Sequence, residues 1–163
     1  ADSSKVVVQS PVVNARAGAM YAQEVREWKK WAGMAGDPAG YAKHLRQLPL
    51  DGVSSRPFLY QVAIGDQTIT NPTQLTVIRA GGLADRTSSY RHDLEFVTNP
   101  LIAKDPHQTL IRVDSTQDAA TSVALQEQIA AFFETGAMTN PRPNYFEVPI
   151  ANVDLLEKLN YTP

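Results

Sequence analysis

Two side chains in this sequence stand where reactive groups are useful. Asp66 follows Phe58-Leu59-Tyr60-Gln61-Val62-Ala63-Ile64, which reads as a strand. That puts it at a strand's carboxyl end, the edge where open α/β sheets gather ligand-binding and catalytic groups. Gly65-Asp66 is also good turn chemistry, and residue type alone favours that plainer role. His107 closes Asp105-Pro106-His107, in a loop that also holds Asn99-Pro100, so the prolines present one imidazole rigidly. A single loop histidine is by itself more often inert than catalytic. The other two histidines read as solvated surface residues: His44 on a short helix of mixed face, and His92 between Arg91 and Asp93. No two histidines stand at i, i+2 or i, i+4, and no carboxylate pair brackets one, so neither a metal site nor a cofactor is expected.

A nucleophile is harder to find. Neither a G-x-S-x-G elbow nor a P-loop occurs in the chain. Ser115 follows a candidate strand and opens a helix, as an elbow serine would. Its neighbours Val113 and Gln117 are too large for the tight turn that exposes such a hydroxyl, and helix capping accounts for it. Gly81-Gly82 reads as a helix stop.

The elements that must position Asp66 and His107 follow from periodicity and punctuation. Val6-Val7-Val8 is β-branched and predicts a short strand, with a loop through Gln9-Ser10-Pro11 after it. Ala17, Met20, Tyr21, Val25, Trp28 and Trp31 recur at spacings of three and four, predicting an amphipathic helix over Ala15 to Ala32, ended by Gly33 and Gly36. A second helix is expected from Pro38 to Leu48, stopped by Pro49. The run Phe58 to Ile64 lacks clean alternation, as in a strand buried on both faces of a parallel sheet. After it, Asn71 as N-cap, Pro72 at the first helical position and Gly81 just past the end define a helix, giving half of a βαβ unit. Leu94 to Val97 and Thr109 to Val113 are further strand candidates, the second weaker because it also reads as loop.

The last helix runs from a Ser115 cap, with Asp118 three residues on, to Gly136. Its apolar face is drawn by Leu125, Ile129, Phe132 and Phe133. A proline-stiffened loop, Asn140 to Asn144, then leads to an edge segment at Tyr145 to Ile150.

Composition bounds the class. At 163 residues with 43% hydrophobic and 20% charged content, the chain is expected to form one domain with a real core rather than a disordered or fibrous segment. A net charge of −2 leaves no basic excess to neutralise phosphates, which argues against nucleic acid as a partner and against an anionic membrane surface. No apolar stretch approaches the roughly 18 residues of a transmembrane helix. With no cysteine there is neither a disulfide nor a thiolate nucleophile. The opening Ala1-Asp2-Ser3-Ser4 lacks both a methionine and the parts of a signal peptide, so a mature, processed or truncated product is expected.

Gly65-Asp66-Gln67-Thr68-Ile69-Thr70-Asn71-Pro72-Thr73 resembles the acid-bearing turn of secreted bacterial α/β-hydrolases of the lipase and esterase type, in which a G-D-Q-T-V-P-N-P-T run is typical. Asp105-Pro106-His107-Gln108-Thr109-Leu110 looks like that group's histidine loop, and Gln126 to Phe133 looks like its last helix. Tyr145 to Ile150 and Leu159-Asn160-Tyr161 are similar to its C-terminal tail. The resemblance covers about Pro57 to Pro163 and implies an α/β fold, the C-terminal portion of an α/β-hydrolase with a mostly parallel sheet flanked by helices. It divides the chain into a helical, lid-like connecting region (1–56), an acid strand, histidine loop and docking helix (57–136), and a tail (137–163).

Carried over residue by residue, the resemblance makes Asp66 the acid and His107 the general base of a serine hydrolase, in the chain order this fold uses. It also implies a secreted or cell-envelope location and an ester or lipid substrate. Two departures stand out: Thr70 replaces the family's proline, and the serine elbow with its oxyanion hole is missing from the chain. The expected partner is therefore an N-terminal part of the same hydrolase, bearing the G-x-S-x-G serine, without which this chain is inert. The alternative is a non-catalytic binding or assembly subunit on a hydrolase-like fold.

Overall fold

The computed structural model describes residues Gly18 to Tyr161, and the strand expected at Val6-Val7-Val8 lies outside them. The chain parts into two compact units, with the division between Gly40 and Tyr41.

In the first unit, helix α1 (Ala19–Met34) carries the expected spacing from Met20 to Trp31, with Trp28 and Trp31 exposed, while the expected start at Ala15 to Ala17 lies outside the described residues. It runs through Gly33, which costs a helix interior only about 1 kcal/mol, and closes where Gly36 N–H donates to Gly33 O. A single turn, α2 (Pro38–Tyr41), has Asp37 Oδ1 accepting the Ala39 N–H. The expected helix does not run on to Leu48: in the second unit the chain forms a 3-10 turn at Ala42–Leu45, whose Ala42 packs with Val77 and Leu83.

The second unit is mixed α/β around a small mixed sheet, in the order β1 (Tyr60–Ala63), β2 (Thr87–Tyr90), β3 (Phe146–Glu147). β1 and β2 are parallel, Tyr60 opposite Thr87 and Ala63 opposite Tyr90, and helix α3 (Asn71–Gly81) connects them, completing the βαβ unit. β3 is the expected edge segment and pairs with β2 antiparallel, so the sheet is not mostly parallel. On one side Val62, Ile64, Leu75, Ile78, Ile150 and Leu156 form a core under α3, and on the other Tyr90, Leu125 and Phe146 pack with helix α5 (Ala119–Thr135). β1 is half-buried at Tyr60, Gln61 and Ala63 rather than covered on both faces, and among the described residues its only strand partner is β2.

Several expectations are corrected. Leu94 to Val97 is not a strand but lies within helix α4 (His92–Thr98), whose acidic first turn, Asp93 and Glu95, suits a helix N-terminus. Its inward positions are His92 and Glu95, while Leu94 and Val97 face solvent. Thr109 to Val113 contains a 3-10 turn, Thr109–Ile111, entered through Gln108 at φ 67°. Helix α5 buries Thr121, Ser122, Ala124, Leu125 and Gln128, and Phe133 is 83% exposed. The polar residues reach partners: Ser122 Oγ donates to Thr109 O, and Gln128 Nε2 to Thr139 O. Burying hydrogen-bonded polar groups there costs little, so Thr121, Ser122 and Gln128 share the inner face of α5 with Ala124 and Leu125. Ser115 Oγ accepts from Asp118 N–H, as a cap does, but the regular helix starts at Ala119.

Asn71 is the first residue of α3 and Thr70 is its N-cap, a shift of one position from expectation. The Asn71 side chain is fully buried and employed elsewhere. Its Oδ1 accepts Gly65 N–H at 2.9 Å, and its Nδ2 donates to Lys158 O and Leu159 O at 2.7 and 3.1 Å. The C-terminal tail is thereby tied to the turn that bears Asp66. Gly65 sits at φ 88°, and a Cβ there would stand 2.6 Å from Asn160 O, so only glycine fits. Asn71→Ala strips the partners from a buried N–H and from two carbonyls, and is expected to cost about 3 kcal/mol in urea unfolding of the chain. A loss under about 0.5 kcal/mol, within the range of unremarkable surface changes, would show that the tail does not hold this turn.

Candidate active site

The acid turn begins where β1 runs out. Ile64 N–H still donates to Tyr90 O at 2.9 Å, and Gly65 then reverses the chain. Asp66 Oδ1 accepts the backbone N–H groups of Thr68 and Ile69 at 2.7 and 2.8 Å, so the side chain builds its own turn, as the plainer sequence reading required. That interaction fixes the rotamer and leaves Oδ2 free to face the neighbouring loop. His107 Nδ1 lies 3.1 Å from Asp66 Oδ2. The Asp66 side chain is 11% exposed and that of His107 32%. Turn former and imidazole partner are thus two uses of one carboxylate.

His107 is held by a loop with little freedom. Pro106 is buried, and its carbonyl accepts both the N–H and the hydroxyl of Thr109. Arg112 Nη1 donates to Asp105 O at 3.0 Å. Further back, Ala103 is gripped from both sides, its N–H by Asp118 Oδ1 at 3.3 Å and its carbonyl by His92 Nε2 at 2.7 Å. His92 is therefore no surface residue. It is 2% exposed, and burial pushes its pKa below the ordinary histidine range. Neutral His92 with its proton on Nε2 is the form that donates to Ala103 O. His44 stays near the surface as expected, partly exposed, with Nδ1 2.7 Å from the carbonyl of exposed Leu48. Neither histidine is paired with Asp66.

Asp66 and His107 line a cleft of about 290 Å³ whose apolar wall includes Tyr60, Val62, Leu110 and Leu125. An imidazole hydrogen-bonded through Nδ1 to a buried carboxylate keeps the Nδ1–H tautomer, with Nε2 left as a proton acceptor. Such a pair can take a proton from a hydroxyl and return it to a leaving group. Comparison with family models, curated proteins and solved structures finds no match to this chain. No group of three or more His, Asp or Glu side chains among the described residues could hold a metal ion. No helix among them is long and apolar enough to cross a membrane.

Two features of the site escaped the sequence reading. The first is the bridge made by Asp105, the carboxylate flanking His107 in sequence, whose Oδ1 accepts the N–H of His107 at 3.0 Å and that of Gln67 at 3.1 Å. An aspartate directly before proline, with its acceptor reaching two residues on, is a turn signal that the sequence does contain. The second is a buried ionic cluster that reaches the cleft through Tyr90. Glu95 accepts from Tyr90 Oη, Thr121 Oγ1 and Arg142 Nη1 at 2.8, 2.6 and 2.7 Å, and Arg142 also donates to Thr121 Oγ1. Desolvation, with Glu95 beside it, raises the Tyr90 hydroxyl well above the ordinary tyrosine range. The cluster joins β2, α4, α5 and the loop before β3, and its members lie far apart in sequence.

Proposed function

We propose that this chain completes a serine-type carboxylic ester hydrolase, supplying Asp66 as the triad acid and His107 as the general base. A separate segment contributes the G-x-S-x-G serine and the oxyanion hole. The observation that carries this reading is the 3.1 Å contact from His107 Nδ1 to an Asp66 carboxylate whose other oxygen is already fixed by two backbone N–H groups. Support comes also from the apolar cleft beside the pair, suited to an acyl or alkyl group, and from β1 having a strand partner on one side only among the described residues.

In the proposed reaction the serine Oγ attacks the ester carbonyl while His107 Nε2 takes its proton. Collapse of the tetrahedral intermediate breaks the bond to the alcohol oxygen, which receives that proton from His107. Water, deprotonated by the same Nε2, then attacks the acyl-serine carbonyl; the bond to serine Oγ breaks, Oγ takes that proton back from Nε2, and the acid is released. Asp66 Oδ2 holds Nδ1–H throughout and stabilises the imidazolium formed in each half-reaction.

The test is to read the gene upstream of Ala1 for a G-x-S-x-G run and to assay its product on a p-nitrophenyl ester. The 163-residue chain alone is expected to show no turnover above background, and the completed protein to hydrolyse the ester and be labelled on serine by a fluorophosphonate. Turnover by the chain alone would overturn the assignment of the nucleophile to another segment. A completed protein with neither activity nor label would favour the non-catalytic assembly subunit.

A further inference from the structure

We propose that Asp105 is a positioning residue that sets the distance between Asp66 and His107, an inference that rests on the hydrolase reading above. One carboxylate oxygen, Asp105 Oδ1, accepts the N–H of His107, which carries the base, and the N–H of Gln67, the residue after the acid. It joins the two loops at the backbone immediately beside both reacting side chains. The loop behind it is braced independently, by Arg112 on Asp105 O and by Thr109 on Pro106 O. The acid turn is braced through Asn71 and the tail. Two rigid pieces are therefore held in register by a single acceptor, in addition to the Asp66 to His107 contact itself.

The role needs an acceptor, not a charge. Asparagine retains Oδ1 and can accept the same two N–H groups, whereas alanine removes both bonds and lets the loops slide. A misplacement of about 1 Å between reacting groups costs on the order of 10²-fold in rate, so Asp105→Ala should lower kcat of the completed enzyme by about that factor with little change in KM. Asp105→Asn should restore kcat to near the wild-type value. A carboxylate that served instead as a second acid for the imidazole would show no such rescue, with asparagine as damaging as alanine.

The experiment has one arm that requires no activity. Amide hydrogen exchange of the 163-residue chain, read by mass spectrometry at single-residue resolution, is expected to show Gln67 and His107 exchanging at least tenfold faster in Asp105→Ala. Asp105→Asn should match wild type, and Ser89 and Phe146 should be unaffected in both. Unchanged exchange at Gln67 and His107 in Asp105→Ala would overturn the proposal. So would Asp105→Asn behaving like Asp105→Ala in exchange or in kcat. Should Asp105→Ala lose protection throughout the sheet, Asp105→Asn decides: retained protection at Gln67 and His107 supports the bridge, and protection lost only there overturns it. Failure of the hydrolase reading shows separately, as wild-type completed protein with no ester turnover, and leaves the exchange results standing.

Discussion

His107→Ala in the completed enzyme is expected to lower kcat by roughly 10⁴- to 10⁶-fold while KM moves by no more than about threefold. In the proposed reaction the histidine accepts and returns a proton only as the transition state forms, so its loss raises the barrier without weakening ground-state binding. Among the described residues no other imidazole can substitute, because His92 is spent on Ala103 O and His44 lies against Leu48 O. Folding should survive. The ring is partly exposed, and its removal deletes one side-chain contact while the loop keeps its Asp105, Arg112 and Thr109 braces. The expected stability loss is about 1 kcal/mol, measurable by urea unfolding beside the kinetics. A variant retaining more than about a tenth of wild-type kcat would remove His107 from the base role.

The parts of this fold that were legible in sequence are those where local chemistry and tertiary packing agree. The Phe58 to Ile64 run, Pro72 early in a helix and the glycines after two helices each dictate a local conformation that the core also needs, and β1, α3 and α5 result. The central strand β2 was not legible, since Thr87-Ser88-Ser89-Tyr90 lacks the apolar run that marks a buried strand. It is nevertheless buried at every position, with Thr87 Oγ1 satisfied by Leu83 O. Leu94 to Val97 misled in the opposite sense. Its apolar residues look outward, and the residues that anchor α4, His92 and Glu95, are polar ones whose partners at Ala103 and Arg142 no local window contains. The site divides the same way. Sequence position alone left Asp66 a turn residue and His107 an isolated imidazole. Their meeting depends on a pairing across two loops, which was expected only through the resemblance to hydrolases.

Asp66→Asn separates the acid from every neighbouring carboxylate, and the geometry specifies why it should fail. Asparagine can keep Oδ1 on the N–H groups of Thr68 and Ile69, so the turn and the fold persist. Its amide nitrogen then replaces Oδ2 in front of His107 Nδ1 and presents a donor where wild type presents an acceptor. The imidazole responds by moving its proton to Nε2, the atom that accepts the serine proton in the proposed reaction, which would block the base in its resting state. Loss of the carboxylate also removes the negative charge that stabilises the imidazolium. Together these should lower kcat on the order of 10⁴-fold, the scale known for triad aspartates, with an unfolding midpoint close to wild type. Asp105→Asn is the matched control: it makes the same change of charge two residues from His107, yet its Oδ1 faces backbone N–H groups that an amide oxygen satisfies equally well. Near-normal kcat for Asp105→Asn beside a collapsed Asp66→Asn assigns the acid to Asp66. The reverse ranking would transfer that role to Asp105 and dissolve the pair on which the hydrolase reading stands.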